Sequence, residues 1–172
     1  ALAAEILREA AQDGRAEVGI QLHPWVNPPF DEEVNDFNSF VGNLPLELEQ
    51  KKFDLLHDSI VERIGVKPLI YRAGRYGLGP NTAANLKAKG VTIDSSVRSL
   101  FDYSAGGGRD YRNHPLHPYW VGGERDVLEL PLTTVFTGAL RKLGHRLYPL
   151  LWRIPQLRGV LAHCRLLERI PL

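Results

Sequence analysis

The sequence predicts an α/β fold with a parallel sheet, on three observations. Helical and strand patterns alternate from residue 3 to residue 132, the connections are a few residues long, and 44% of the 172 residues are hydrophobic. Alternation with short connections is typical of βα units, whose strands run parallel. Because this length and apolar content suffice for one core, we expect a single domain over residues 1–172.

Composition narrows the class of protein. No apolar run approaches the roughly 20 residues that cross a bilayer, and no signal segment opens the chain. Cys164 is the single cysteine and cannot form an intrachain disulfide, so the fold needs no oxidising compartment. Methionine is absent even at position 1, so we expect residues before Ala1. The visible residues favour the cytoplasm, although any signal peptide would precede Ala1 and leaves the compartment open.

The net charge of +1 hides an asymmetry along the chain. Residues 139–172 hold seven Lys or Arg and one acidic residue, so this segment is basic. Basic segments bind membrane surfaces or nucleic acid in some proteins. Its leucines are better explained by packing on a sheet, so we expect no nucleic-acid partner and rank a membrane-surface role last. The oligomeric state stays open.

A helix and a strand open the chain. Residues 3–13 are rich in alanine, leucine and glutamate and run up to Gly14, which predicts a helix with a glycine cap. Residues 16–23 alternate, which predicts a strand with an apolar and a polar face. The two faces are Val18, Ile20 and Leu22, and Gly19, Gln21 and His23. Because the polar set would fill a core poorly, we expect it to border a cavity, next to a proline-fixed loop over residues 24–30.

The middle of the chain repeats the alternation. Residues 31–43 show no sustained period and predict an excursion or a short helix over the site. A helix is predicted from Pro45 to Gly65 and another over residues 81–89, closed by Gly90. Strands are predicted at Leu69–Arg72 and Val91–Asp94.

The last third begins with an insertion. Residues 98–126 are rich in glycine and contain NHPLHPYW, which favours a functional lid or rim over a linker. A strand follows at Val127–Leu132. Leucine spacing then predicts one helix over residues 140–151 and a second over residues 156–169, after Pro155.

Chemically capable side chains collect where the predicted strands end. They are His23; Arg72 with Arg75 and Tyr76; Asp94 with Ser95; and Thr133 with Thr134. Carboxyl ends of parallel strands share one edge of the sheet, so we expect one cavity that holds His23, Arg72 and Asp94 together. A base or metal ligand, cations, a carboxylate and hydroxyls suit a hydrolase that acts on a polar, sugar-like substrate.

Each of these residues also has a purely structural interpretation. A lone histidine at a strand end is more often a hydrogen-bonded structural residue than a metal ligand, so spacing alone favours the structural role for His23. Arg72 would satisfy carbonyl groups, and Asp94 would hold its own turn through an Asx bond. Spacing does not align His114 and His117 as ligands, because they lie in a proline-rich loop.

An ordered series of motifs resembles the polysaccharide deacetylase family. The motifs are EVGIQLHPWVNPP, YRAGRYGLGP, GVTIDSSV, a loop with DYS and HPYW, and LELPLTTVFTG. They run through roughly residues 15–172 and are similar to a bacterial subgroup with an HPW-type second motif. The resemblance implies a distorted (β/α) barrel of parallel strands with outer helices, and removal of acetyl groups from a carbohydrate with a divalent metal, commonly zinc.

The resemblance implies roles for matching positions. His23 would be a metal ligand, and Arg72 matches the third-motif arginine, which orients the catalytic acid. Position 21 is a histidine in the subgroup, but this chain has Gln21, a weak neutral donor, and we expect metal affinity below the family norm. Asp94 is a further candidate catalytic residue. The candidate substrate-binding residues are Trp25, Arg75, Tyr76, Tyr119, Trp120 and Thr133.

Two family motifs are missing from the sequence. They are the early Asp-Asp pair, which supplies the base and a ligand, and the late leucine-x-x-histidine, which supplies the acid. A barrel of this type runs to about 250 residues, so we expect an incomplete barrel, cut at both ends. Truncation does not account for Gln21. The competing interpretation is therefore a glycan-binding relative in which Trp25, Tyr76, Tyr119 and Trp120 stack on sugars without a metal.

Overall fold

The protein divides into two compact units. A computed structural model describes residues 2–171, with one unit up to Pro131 and the other from Leu132. This division does not test the expected single domain of residues 1–172, whose two terminal residues lie outside the described ones. In the part of the chain that the structure describes, no helix has the length and apolar character needed to span a membrane.

The first unit contains a five-stranded, mostly parallel sheet. Its strand order is β1-β2-β3-β5-β4. Neighbouring strands are parallel from β1 to β5, whereas β4 pairs antiparallel with β5 at the edge. The strands are β1 Ile20–Leu22, β2 Ile70–Ala73, β3 Ile93–Asp94, β4 Tyr119–Val121 and β5 Val127–Glu129. The predicted parallel sheet is confirmed, with shorter strands than the sequence indicated.

The described residues of this unit contain three α-helices, and all three were predicted. They are α1 Leu2–Gln12, α2 Leu46–Ile64 and α3 Thr82–Lys89. Gly65 ends α2 with φ of 79° and Gly90 ends α3 with φ of 71°. Glycine adopts this left-handed conformation without the steric cost of a Cβ, which is why both helices end there.

The two faces of the sheet differ in character. Residues aligned across parallel strands point to the same face, and successive residues of a strand alternate. Tyr71 aligns with Ile20 and Asp94, and this Tyr71 face is buried in a core shared with α2 and α3. Arg72 aligns with Gln21 on the opposite side, the Arg72 face, where both side chains are exposed. The prediction that Ile20 and Leu22 face the core, whereas Gln21 faces away from it, is confirmed.

The insertion at residues 98–126 is largely irregular. It contains the edge strand β4, which the sequence did not predict, and a set of aromatic contacts around Tyr103, whose ring lies 5.7 Å from that of Tyr76 and 6.3 Å from that of Tyr111. Tyr111 is buried, and its hydroxyl donates to the carbonyl of Tyr76. The insertion is therefore packed onto the β2–α3 connection.

The second unit is a strand pair with two helices. β6 Thr134–Thr137 and β7 Glu168–Pro171 are antiparallel, and α4 Gly144–Leu151 and α5 Pro155–His163 lie between them in the chain. Tyr148, Leu151 and Leu167 form its core. The helix predicted over residues 140–151 begins at Gly144. The helix predicted over residues 156–169 is wrong at its end, because β7 begins at Glu168.

Candidate functional site

Two hydrogen bonds orient Arg72 on the Arg72 face. Its Nε donates to the carbonyl of Ser95 at 3.0 Å and its Nη2 to the Ser95 hydroxyl at 3.1 Å. That hydroxyl donates in turn to the carbonyl of Leu130 at 3.0 Å. All these acceptors are uncharged, and no carboxylate pairs with Arg72 in the ion pairs recorded for residues 2–171. The guanidinium is therefore oriented without being neutralised.

His23 lies one residue beyond β1 and is half-buried. An added Cβ on Gly74 would lie 2.5 Å from its Nδ1, so the imidazole occupies the space above that glycine. Nδ1 is buried and has no hydrogen-bond partner among the described residues. Burial lowers the pKa of His23, so the imidazole is neutral near pH 7 and able to donate a lone pair.

The loop after His23 is fastened to α2 by a buried lysine. Lys52 is fully buried, and its Nζ donates to the carbonyls of Pro24 at 3.0 Å and Asn27 at 2.7 Å, and also to that of Pro29. Glu32 Oε1 lies 2.9 Å from the same Nζ. This cluster holds the loop that carries Trp25, whose ring is 39% exposed and meets the His23 ring edge-on at 4.8 Å.

Arg75 and Tyr76 follow β2 in a turn. Both have positive φ, of 54° and 59°. The Arg75 guanidinium lies 4.4 Å from the centre of the Phe40 ring and donates to Asp36 at 3.3 Å and to Ser39. Arg75 therefore ties the excursion at residues 31–43 to this turn, and its predicted role in substrate binding stays a prediction, as does that of Tyr76.

Asp94 does not share a hollow with His23 and Arg72, and that expectation is wrong. Asp94 aligns with Tyr71 on β2, whereas Ser95 lies beside Arg72, so Asp94 points to the Tyr71 face. There it is 4% exposed and aligned with Glu129 of β5, which is 1% exposed. The physical reason is the two-residue period of a strand: a shift of one position reverses the face.

Asp94 and Glu129 lie opposite each other on β3 and β5 and form a buried carboxyl pair. Ser96 donates its hydroxyl to Asp94, and the Val97 amide donates to Glu129 Oε1 at 3.0 Å. Burial raises the pKa of Asp94 to about 6. Burial, and then the charge of Asp94, raise the pKa of Glu129 to about 8. One proton is therefore shared between the two groups near pH 7.

The remaining candidates fall in three places. Trp120 aligns with Leu128 on the side of the Arg72 face and is 47% exposed. Tyr119 aligns with Glu129 on the Tyr71 face, and its hydroxyl lies 3.0 Å from His114 Nδ1. Thr133 is exposed and belongs to the second unit. The structure thus brings Gln21, Arg72 and Trp120 to one face and places Tyr119 with Asp94 on the other.

Zinc needs more donors than this face supplies. Among residues 2–171, no three His, Cys, Asp or Glu side chains cluster closely enough to hold a metal ion. His23 offers one neutral imidazole and Gln21 one amide, whereas catalytic zinc normally takes three protein ligands. The described residues alone do not complete a zinc site. The zinc expectation stays a prediction.

Glu129 and Lys52 are buried polar residues that the sequence does not single out. Glu129 alternates with Leu128 and Leu130, a pattern typical of a charged residue that faces solvent. Lys52 lies in the charged run of α2, where lysine is normally exposed. Its spacing of four residues from Leu48 and from Leu56, which pack against the core, carried the signal for burial.

The fold is similar to that of a solved structure. No protein-family model and no curated protein match the sequence. A solved structure titled "putative polysaccharide deacetylase from Mycobacterium smegmatis" shares the fold, with a TM-score of 0.50 and 22% identity over 76% of this chain. The match covers 36% of that protein's length. At this identity the likeness establishes the fold.

The predicted fold class is confirmed. A mixed α/β architecture with a mostly parallel five-stranded sheet and helices is consistent with an incomplete (β/α) barrel. The structural likeness also supports the resemblance to polysaccharide deacetylases that the motifs suggested.

Proposed function

We propose that this chain acts on a carbohydrate as part of a polysaccharide-deacetylase-like hydrolase, which removes N-acetyl or O-acetyl groups. The observation that carries the proposal is Arg72, exposed on one sheet face and fixed by Ser95 without a carboxylate partner. The fold shared with a putative deacetylase supports the same class of reaction.

Arg72 would orient a carboxylate or stabilise negative charge. An arginine fork binds carboxylates in a defined geometry, and a fixed cation stabilises charge that develops on an acyl oxygen. Because Ser95 already fixes the guanidinium, little reorganisation is needed when such a group arrives. Arg72 is therefore the residue of this face that we assign to the reaction.

Exposed tryptophans would contact the sugar. Trp25 and Trp120 present 39% and 47% of their surface, and tryptophan combines a broad apolar ring with an N–H donor. Rings of this kind pack against the apolar faces of sugars. A carbohydrate substrate is consistent with both residues.

A divalent metal, with zinc preferred, enters the proposal only as a cofactor of the whole protein. His23 would be a ligand and Gln21 a weak donor, and the metal would polarise the acyl carbonyl. Because these two donors leave zinc one ligand short, the role of Arg72 is argued without it.

Acetate release tests the proposal. The full-length protein is incubated with acetylated chito-oligosaccharides, and acetate is measured for the wild type, Arg72→Gln and the exposed control Arg63→Gln. We expect release by the wild type and the control, and a loss of about 100-fold in Arg72→Gln, the size of effect seen when one oxyanion donor is removed. Equal rates in Arg72→Gln and wild type would contradict the assignment of Arg72.

A glycan-binding role without catalysis is the second candidate, and Gln21 favours it. An amide stands where the resembling subgroup has a histidine, and two tryptophans, Trp25 and Trp120, are exposed. Saturable oligosaccharide binding, with no acetate release and no bound metal in the purified full-length protein, would establish this role. Absence of both binding and release would refute both candidates.

A further inference from the structure

A second polar cluster lies on the face opposite Arg72, and the proposed function does not use it. The Asp94–Glu129 pair forms part of the lining of a cavity of about 210 Å³ within the first unit. The wall is apolar or aromatic apart from Thr82, and its members are Leu78, Gly79, Ala83, Val97, His114, Tyr119 and Val121. A mainly apolar cavity with a few convergent polar groups is the usual form of a small-molecule site.

The carboxyl pair lacks a cation. Neither residue takes part in the ion pairs recorded for the described part of the chain. Glu129 Oε1 accepts from the Val97 amide, but Oε2 is buried and meets no N–H or hydroxyl donor among the described residues. A buried carboxylate without a counter-charge is costly, and a cation that brings donors would offset that cost.

The surroundings favour an organic cation over a metal ion. No third metal-binding side chain joins the pair within residues 2–171. The wall instead offers aliphatic groups and the Tyr119 and His114 rings, which suit the carbon body and the positive charge of an amine. The volume lies below the roughly 300 Å³ of common ligand pockets, which limits the occupant to one small ring or a short chain.

We infer that this cavity binds the ammonium group of a small organic amine. The ammonium pairs with the Asp94–Glu129 carboxyl pair, and the carbon body lies against Ala83, Val97 and Val121. The inference goes beyond the proposed function, since it concerns the opposite face of the sheet and no acetyl chemistry.

Calorimetric titration of the full-length protein tests it, with cyclohexylamine as the probe and cyclohexanol as its neutral counterpart. At pH 7 we expect the amine to bind about tenfold or more tightly than the alcohol, as charged hydrogen bonds allow. Glu129→Gln should remove this preference, whereas Glu62→Gln, an exposed control, should keep it.

Ala83→Leu provides a second variant that leaves both carboxyl groups in place. It fills the cavity from α3 and should weaken amine binding about tenfold or more, and the amide resonance of Val97 should no longer shift on titration. Equal affinities for amine and alcohol in the wild type, or undiminished amine binding in folded Glu129→Gln and Ala83→Leu proteins, would overturn the inference. Neither result depends on acetate release.

Discussion

Glu129→Gln should change how stability depends on pH. Glutamine keeps an acceptor for the Val97 amide and adds a permanent donor toward Asp94, so the variant mimics the protonated glutamic acid in shape. The folded wild type holds a proton on the pair between pH values of about 6 and about 8. The unfolded chain releases both protons below that range, since free carboxyl groups titrate near 4.

Proton linkage gives the direction and the size of the change in unfolding free energy with pH. Stability falls with rising pH wherever the folded state binds more protons than the unfolded state, by about 1.4 kcal/mol per pH unit for one proton. The wild type should therefore lose on the order of 2 kcal/mol relative to Glu129→Gln between pH 6 and pH 8. Above pH 8 the folded pair has lost its proton and the difference should level off.

Urea denaturation at half-unit steps from pH 5.5 to pH 8.5 measures this difference. Glu62→Gln removes an exposed carboxyl group and should run parallel to the wild type throughout. If Glu129→Gln also runs parallel to the wild type between pH 6 and pH 8, Glu129 does not keep its proton in the folded protein, and the shared-proton argument fails.

Three further substitutions test other parts of the structure. Lys52→Met should lower the free energy of unfolding by about 3–5 kcal/mol in urea denaturation, because it leaves Glu32 buried without its cation. The control Lys51→Met, at the exposed neighbouring residue, should change stability little. Equal losses in the two variants would contradict the stabilising role of the Lys52 contacts. Gly74→Ala should cost about 1–3 kcal/mol, since its Cβ would lie 2.5 Å from His23 Nδ1, and Gly123→Ala, with open space around it, should be tolerated; a neutral Gly74→Ala would argue against the close packing. Gln21→His should tighten zinc binding by the full-length protein about tenfold or more in calorimetric titration. Equal zinc affinities of the two proteins would contradict the expectation that Gln21 weakens zinc binding.

The elements that the sequence predicted well carry their own signals. The helix α2 shows apolar spacing over nineteen residues and ends at Gly65, where only glycine adopts the required φ cheaply. The edge strand β4 has three residues between Pro118 and Gly122, and its pairing with β5 depends on tertiary contacts. The helix predicted over residues 156–169 extends two residues into strand β7, because the partner of β7, β6, lies more than thirty residues away in the chain. Local pattern does not report such pairings.

The site was predicted in part, for a similar reason. Alternation within β1 correctly placed Gln21 away from the core. It did not show that Arg72 lies beside Ser95 and not beside Asp94, because that depends on the register between β2 and β3. A shift of one residue in this register would move Asp94 to the other face of the sheet. The sequence alone therefore does not reveal the Asp94–Glu129 pair.

The buried lysine of α2 makes the tryptophan loop part of the helical scaffold. With Nζ bound to three carbonyl groups and a carboxylate, Lys52 ties residues 24–32 to α2. Any tilt of α2 would therefore displace Trp25 by a similar amount. Substitutions on the opposite side of α2 should therefore change the contacts of Trp25 with a sugar, although the substituted residues lie outside the binding surface.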